Sequence, residues 1–290
     1  MAVDLQDVLP GMGKADLATR VEGAMRAALG HAVTSATPPT LGGALRHAVF
    51  PGGGRIRPQL CLLVASCGRE GHPGHAEAAA AAIELLHCAS LVHDDLPCFD
   101  DAEMRRGRPS VHRAFGQAIA VLVGDALIVQ AFCEVAQGRH AAALVRALGE
   151  SAGSARGIVA GQAWESEAQQ PTLDEYHRAK TGSLFEAAAV LGAIHADLPT
   201  EPWRAFGEAL GRAYQAADDV ADAVGNEVAT GKTCGRDEAL ARPSLVRLSG
   251  LDAAKTRARV LFHAAIAAIP HGNPRVEAWA LRLALRVSSG

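Results

Sequence analysis

The chain has 290 residues, 49% of them hydrophobic but only 4% aromatic, with 20% charged and a net charge of −3. That balance excludes a partner held by a basic surface, so no nucleic acid is expected. The apolar share comes mainly from Ala, Leu and Val, enough for a large buried core in one domain spanning 1–290.

In chain order, MAVDLQDVLPGMGKAD carries acids and a proline but no basic segment followed by an apolar one, so no signal peptide is expected. A turn follows at Pro51-Gly52-Gly53-Gly54 and another at Gly71-His72-Pro73-Gly74. Residues 76–93 are Ala- and Leu-rich with few polar positions, which predicts a helix buried on most sides. Gly107-Arg108-Pro109 breaks the chain again. Further helical runs cover 117–136, 142–149, 155–168, 174–195, 202–224 and 253–269, with Gly231 to Gly235 as a turn before the last. No apolar run reaches the ~18 residues of a membrane span. The six cysteines form no CxxC pair and fit reduced thiols. The expectation is an all-α, single-domain, cytoplasmic protein with no transmembrane segment.

Two acid clusters interrupt this apolar background. The first, HDDLPCFDDAEMRRG at 93–107, holds five acids followed by paired arginines. The second, Asp218-Asp219-Val220-Ala221-Asp222, spaces its acids three and four apart, on one helix face. In the first, Asp94 and Asp95 are separated from Asp100 by LPCF, and Pro97 can break the helix and return Asp100 toward the pair. Carboxylates crowded this way repel unless a cation sits among them. Mg²⁺ takes carboxylate oxygens together with substrate phosphate oxygens, which points to a phosphate-bearing substrate. Arg105, Arg106, Lys180, Lys232 and the Arg55-Ile56-Arg57 group are then candidates to neutralise phosphate.

HDDLPCFDDAEMRRG and YQAADDVADAVGNE resemble the first and second Asp-rich motifs of the trans-isoprenyl diphosphate synthases. The resemblance extends in family order through GGGRIRP at 52–58, GQAWESE at 161–167, KTGSLF at 180–185 and GKTCGRDE at 231–238. It covers roughly residues 40–245 and is strongest with bacterial geranylgeranyl diphosphate synthases of carotenoid pathways. The resemblance implies an isoprenoid-synthase helical bundle around a central cavity, a Mg²⁺-dependent prenyltransferase that condenses isopentenyl diphosphate with an allylic diphosphate (dimethylallyl, geranyl or farnesyl). It also implies a homodimer.

By resemblance, Asp94, Asp95 and Asp100 hold two Mg²⁺ and Asp218 a third, with Asp219 and Asp222 in support. Arg105, Lys180 and Lys232 would contact the allylic diphosphate, and Arg57, His87 and Arg106 the isopentenyl diphosphate. His87 also lies seven residues before Asp94, two helical turns away on the same stripe. Thr181, Tyr214 and Gln215 match positions along the reacting carbons, where dipoles or a ring face stabilise positive charge. Gln162 and Glu165 fall where the family shows GQxxD, and would orient metal-bound water or Lys180.

Gly54 stands where the family usually has a Lys on isopentenyl diphosphate, with Arg55 or Arg57 available to compensate. The C-terminal RLALRVSSG has little of the basic ending of some relatives, and no role is assigned to it. Product length should depend on the helix leading into the first motif. In bacterial farnesyl synthases of the family the residue five before the first Asp is aromatic; here it is Ala89, beside Ser90. Leu86, one turn deeper, is the first bulky group and the candidate floor of a cavity for a twenty-carbon product. The alternatives are a farnesyl diphosphate synthase, a terpene cyclase, which DDVAD does not fit, and a non-catalytic regulatory subunit, whose acid motifs would tend to be lost.

Overall fold

The computed structural model describes residues 14–68, 74–169, 171–224 and 244–288. Helices dominate: α1 (Lys14–Ala32), α2 (Pro39–Val49), α3 (Ile56–Ala65) and α4 (His75–Asp94) precede a small hairpin. Its strands, β1 (Met104–Arg105) and β2 (Arg108–Pro109), pair antiparallel. Then come α5 (Val111–Phe115), α6 (Gln117–Val135), α7 (Ala141–Ala152), α8 (Ile158–Ala163) and α9 (Leu173–His177). A π-helical turn, Arg178–Gly182, leads into α10 (Ser183–His195) and α11 (Thr200–Val224). The described chain closes with α12 (Leu245–Ser249), α13 (Leu251–Ala267) and α14 (Pro274–Ser288).

α4 is the central element, packed against α6, α3, α1 and α10. Its Ala79 to Ile83, Leu85, Leu86, Cys88, Ala89 and Val92 are all buried, as the Ala/Leu-rich run predicts. Small side chains let neighbouring helices approach from several sides, and burial of the apolar surface stabilises the packing at about 25 cal/mol per Å². α10 is likewise buried nearly all round. α11 is amphipathic, with Trp203, Phe206, Leu210, Ala213 and Ala217 facing the core. Gly211 makes its crossing with the start of α10 possible: a Cβ there would lie 2.7 Å from the Gly182 Cα.

Several expectations need correction. The run at 155–168 is helical only over Ile158–Ala163, with a 3₁₀ turn at Trp164–Ser166. The run at 174–195 contains the π turn rather than one regular helix. Helices α1, α2, α3, α5, α12 and α14 fall outside the predicted runs; α2 starts with Pro at its first position, where the ring costs no hydrogen bond. α6 also differs from the reading that no segment could span a membrane, because by length and composition it is long and apolar enough. One side of it builds the core through Ala120, Val123, Leu127, Ala131 and Val135. Val121, Leu122 and Val129 on its other side are exposed.

Candidate active site

The first acid cluster is shaped by the end of α4. Beyond Asp94 the chain doubles back: the Asp100 N–H donates to the Asp94 carbonyl (2.9 Å) and the Ala102 N–H to that of Asp95 (3.1 Å). Asp101 takes a left-handed backbone, φ 45°, to complete the loop around Pro97. Asp100 is thereby returned beside Asp94. Burial, opposed by Lys180 and reinforced by Asp100 and Glu165, pushes the Asp94 carboxyl above its ordinary range.

Asp95, the next carboxylate, is ion-paired with Arg105. Arg105 Nη2 donates to its Oδ1 at 2.5 Å and Nε to its Oδ2 at 3.2 Å, a bidentate pair. Asp95 is 2% exposed. Arg105, placed in the sequence reading on the allylic diphosphate, therefore has its fork on Asp95, while its Nη1 is buried with no protein partner. That orphaned N–H is the part of the side chain left to meet an anion.

In the second cluster Asp219 is 4% exposed and both its oxygens accept protein donors. Gln215 Nε2 reaches Oδ1 and the Leu245 N–H reaches Oδ2, each at 2.7 Å. Asp219 thus anchors the start of α12 to α11. Asp218 and Asp222, on the same helix, are half-buried.

Between the clusters lies the π turn carrying Lys180 and Thr181. π turns re-aim the side chains of a helix, and they recur at functional sites. Gly161 on α8 abuts it so closely that a Cβ there would fall 2.4 Å from the Lys180 nitrogen. Lys180 is ion-paired with Glu165. Glu165 also accepts from the Tyr176 hydroxyl (2.5 Å) and from Gln162 Nε2 (3.3 Å). The GQAWESE segment therefore orients Lys180, and Tyr176, which the sequence reading did not single out, completes the knot. Lys180 acts electrostatically on Asp94 on one side and on His177 on the other, and His177 also feels Asp218. Both clusters therefore act electrostatically on this one short segment. Burial lowers the pKa of His177 to about 4, so its imidazole is neutral at pH 7.

Thr181 and Gln215 meet directly, Oγ1 donating to Oε1 at 2.5 Å. Tyr214 packs on Phe185 with ring centroids 5.1 Å apart. Burial, reinforced by Asp218, raises the Tyr214 pKa and keeps it a neutral phenol. Arg286 of α14 is among the charges acting on it.

Arg57 is 9% exposed, stacks 4.6 Å over the Phe185 ring, and has a buried Nε with no protein partner. Burial lowers its pKa, Tyr214, Glu84 and Asp218 oppose that, and Arg106 adds to it. Such a cation is suited to an incoming anion. Arg55 is not available in the same way. It is buried, and donates to Glu84 (2.9 Å), Glu22 (3.0 Å) and the Val49 carbonyl (2.8 Å). It cannot replace the cation missing at Gly54. A Cβ at Gly54 would meet only Ile56 side-chain carbons, at 3.4 and 3.5 Å. Gly54→Lys should accordingly fold and lower the KM for a diphosphate bound here several-fold, with kcat little changed. An unaltered KM, measured at saturating second substrate, would place this loop outside the binding site.

His87 is half-buried, one turn from Ser90, whose hydroxyl donates to the His87 carbonyl at 2.8 Å. Ala89 and Leu86 are 1% and 3% exposed, on the buried side of α4. Lys232 and the Gly231–Gly235 turn lie outside the described residues. Among the described residues no three acids, cysteines or histidines converge on one point to hold a metal alone. The donor set fits Mg²⁺, which needs only one or two carboxylates when water and substrate oxygens complete its shell.

The sequence profile of the polyprenyl synthetase family matches residues 38–278. The chain is 50% identical over 256 residues to a geranylgeranyl diphosphate synthase of Cereibacter sphaeroides, spanning 87% of this chain and 88% of that one. It is 45% identical over 256 residues, with the same coverage, to a geranylgeranyl diphosphate synthase of Rhodobacter capsulatus. Among solved structures it resembles a geranyltransferase from Helicobacter pylori complexed with magnesium and isoprenyl diphosphate. The TM-score is 0.81 at 28% identity, covering 96% of this chain and 98% of that one.

Proposed function

Because the chain belongs to the polyprenyl synthetase family, we propose that it condenses isopentenyl diphosphate with allylic diphosphates and releases geranylgeranyl diphosphate. The observation that carries this reading is that Lys180, held by Glu165, acts on Asp94 of the first acid cluster and on His177, which also feels Asp218 of the second.

In each cycle the allylic C–O bond breaks and diphosphate leaves, the isopentenyl double bond attacks the cationic carbon, and a proton is lost to restore a double bond. Mg²⁺, three ions by family resemblance, supplies charge stabilisation to the departing diphosphate when bound by Asp94, Asp100 and Asp218. Lys180, held by Glu165, and Arg105, held by Asp95, add cations to the same group. The Thr181–Gln215 pair and the Tyr214 ring supply dipoles and a π face beside the reacting carbons. Arg57, His87 and Arg106 bind the second diphosphate.

We read the chain as a single domain, supported by one hydrophobic cluster that runs from Leu17 to Leu283. The reading also takes the protein to be cytoplasmic, with its product drawn into carotenoid synthesis. A second copy of the chain is taken to cover the exposed face of α6, where Val121, Leu122 and Val129 lie with Asp125 at helical spacing. Val129→Asp is expected to convert a dimer into a monomer in light scattering; a monomeric wild type would overturn the dimer.

Incubation of the purified protein with Mg²⁺, isopentenyl diphosphate and each of the three allylic diphosphates tests the function directly. A twenty-carbon product supports it. A cyclic hydrocarbon, or no turnover with any primer, would overturn it.

A further inference from the structure

Behind the proposed isopentenyl diphosphate subsite, one acid is shared by several arginines. Glu84, ten residues before Asp94 on α4, is 1% exposed. Its Oε1 accepts from Arg55 Nη1 at 2.9 Å and lies 3.8 Å from Arg106 Nη2. It also acts electrostatically on Arg57. Arg55 and Arg106, from two different turns, thus meet at one buried carboxylate that also acts on Arg57 at the start of α3; with Glu22 on Arg55, three guanidinium groups face two acids.

The backbone around this cluster is built to bring the arginines in. Arg106 and Gly107 both have positive φ, 54° and 76°, as a two-residue hairpin turn between β1 and β2 requires. Arg55, also left-handed at φ 48°, caps the start of α3. Glycines make the room. A Cβ at Gly52 would fall 2.2 Å from Arg55 Nε, and one at Gly53 would lie 3.2 Å from Arg106 Nε.

Like charges at this range repel, and without a counter-charge the side chains would splay toward water before a substrate arrived. Arg55 spends its donors on Glu84, Glu22 and the Val49 carbonyl. Arg106 is 17% exposed at its side chain, and Glu84 is the one acid paired with it among the described ion pairs. We propose that Glu84 is a positioning residue of the isopentenyl diphosphate subsite, holding Arg106 against the Gly52–Arg57 loop so that the diphosphate meets a preformed cradle. Glu84 touches no substrate; it acts through Arg106. The inference rests on the prenyltransferase reading above.

Glu84→Gln keeps the size and an acceptor oxygen but removes the charge. The expected result is a rise of about tenfold in the KM for isopentenyl diphosphate, with kcat and the allylic KM within about twofold. A double-mutant cycle with Arg106→Gln separates positioning from general structure. If Glu84 works through Arg106, adding Glu84→Gln to Arg106→Gln leaves that KM unchanged. Multiplying effects in the double variant, an unchanged KM in the single one, or equal damage to both substrates would overturn the proposal. If Glu84→Gln does not fold, Glu84→Asp takes its place in the same cycle, withdrawing the charge by one methylene, with a smaller rise that is again absent in the Arg106→Gln background. A wild type inactive with every primer would instead sink the prenyltransferase reading.

Discussion

Asp94→Ala and Asp218→Ala are each expected to lower kcat by about 10³-fold at saturating Mg²⁺, while thermal unfolding stays at or above the wild-type temperature. The loss is large because the difficult step separates a carbocation from diphosphate, and removing a single charge-stabilising contact at such a step costs about 10²–10³-fold. Stability holds because Asp94 is a buried carboxylate already crowded by Asp100 and Glu165, so its removal relieves repulsion. The neighbouring acids should behave in the opposite sense. Asp95→Ala strands the Arg105 guanidinium, whose side chain is 14% exposed, and a buried charge deprived of its partner costs about 3–5 kcal/mol. Kinetics and melting curves on these variants together separate cleft-facing from anchoring carboxylates. Unchanged turnover in Asp94→Ala or Asp218→Ala would remove the two-cluster mechanism.

Ala89→Tyr is expected to shorten the principal product from twenty carbons to fifteen. On the proposed function the growing chain would extend from the diphosphate along α4, and an isoprene unit of about 5 Å nearly matches the ~5.4 Å helix pitch, so each turn toward the N-terminus would admit about one more unit. Ala89 is buried on that helix and too small to stop the chain; Leu86, buried one turn deeper, is the first side chain bulky enough to do so. Ser90 is the less effective gate because it is half-buried and its hydroxyl is bonded back to the His87 carbonyl. Chain-length analysis of the dephosphorylated products reads the outcome. A fifteen-carbon wild-type product, or a variant with unaltered product length, would place the floor on another helix.

What could be read in the sequence follows from the range of the interaction involved. The α4 run, the acid spacing on α11 and the role of Pro97 are local, and each is visible within about twenty residues. The division of labour inside the acid pairs is not local. Asp94 and Asp95 are adjacent and chemically identical, and only the placement of the hairpin that carries Arg105 assigns Asp95 to it. Glu84 gave no signal because a single Glu in an Ala-rich helix reads as a solubilising residue, and its partners Arg55 and Arg106 arrive from 29 and 22 positions away. Tyr176 was hidden for the same reason, its partner Glu165 lying on a separate turn. Periodicity also missed the π turn, since one extra residue within a helical run leaves composition and propensity unchanged.

That extra residue makes the segment a phase adjuster. A regular α-helix advances about 100° per residue, so deleting one position from Arg178–Gly182 would rotate α9 by about that amount relative to α10. Tyr176 and Lys180 could then no longer both point at Glu165, although every side chain involved would still be present. The turn lets two helical faces of different angular phase serve one cleft. Substitutions can therefore be traded here more freely than insertions or deletions between Tyr176 and Ser183.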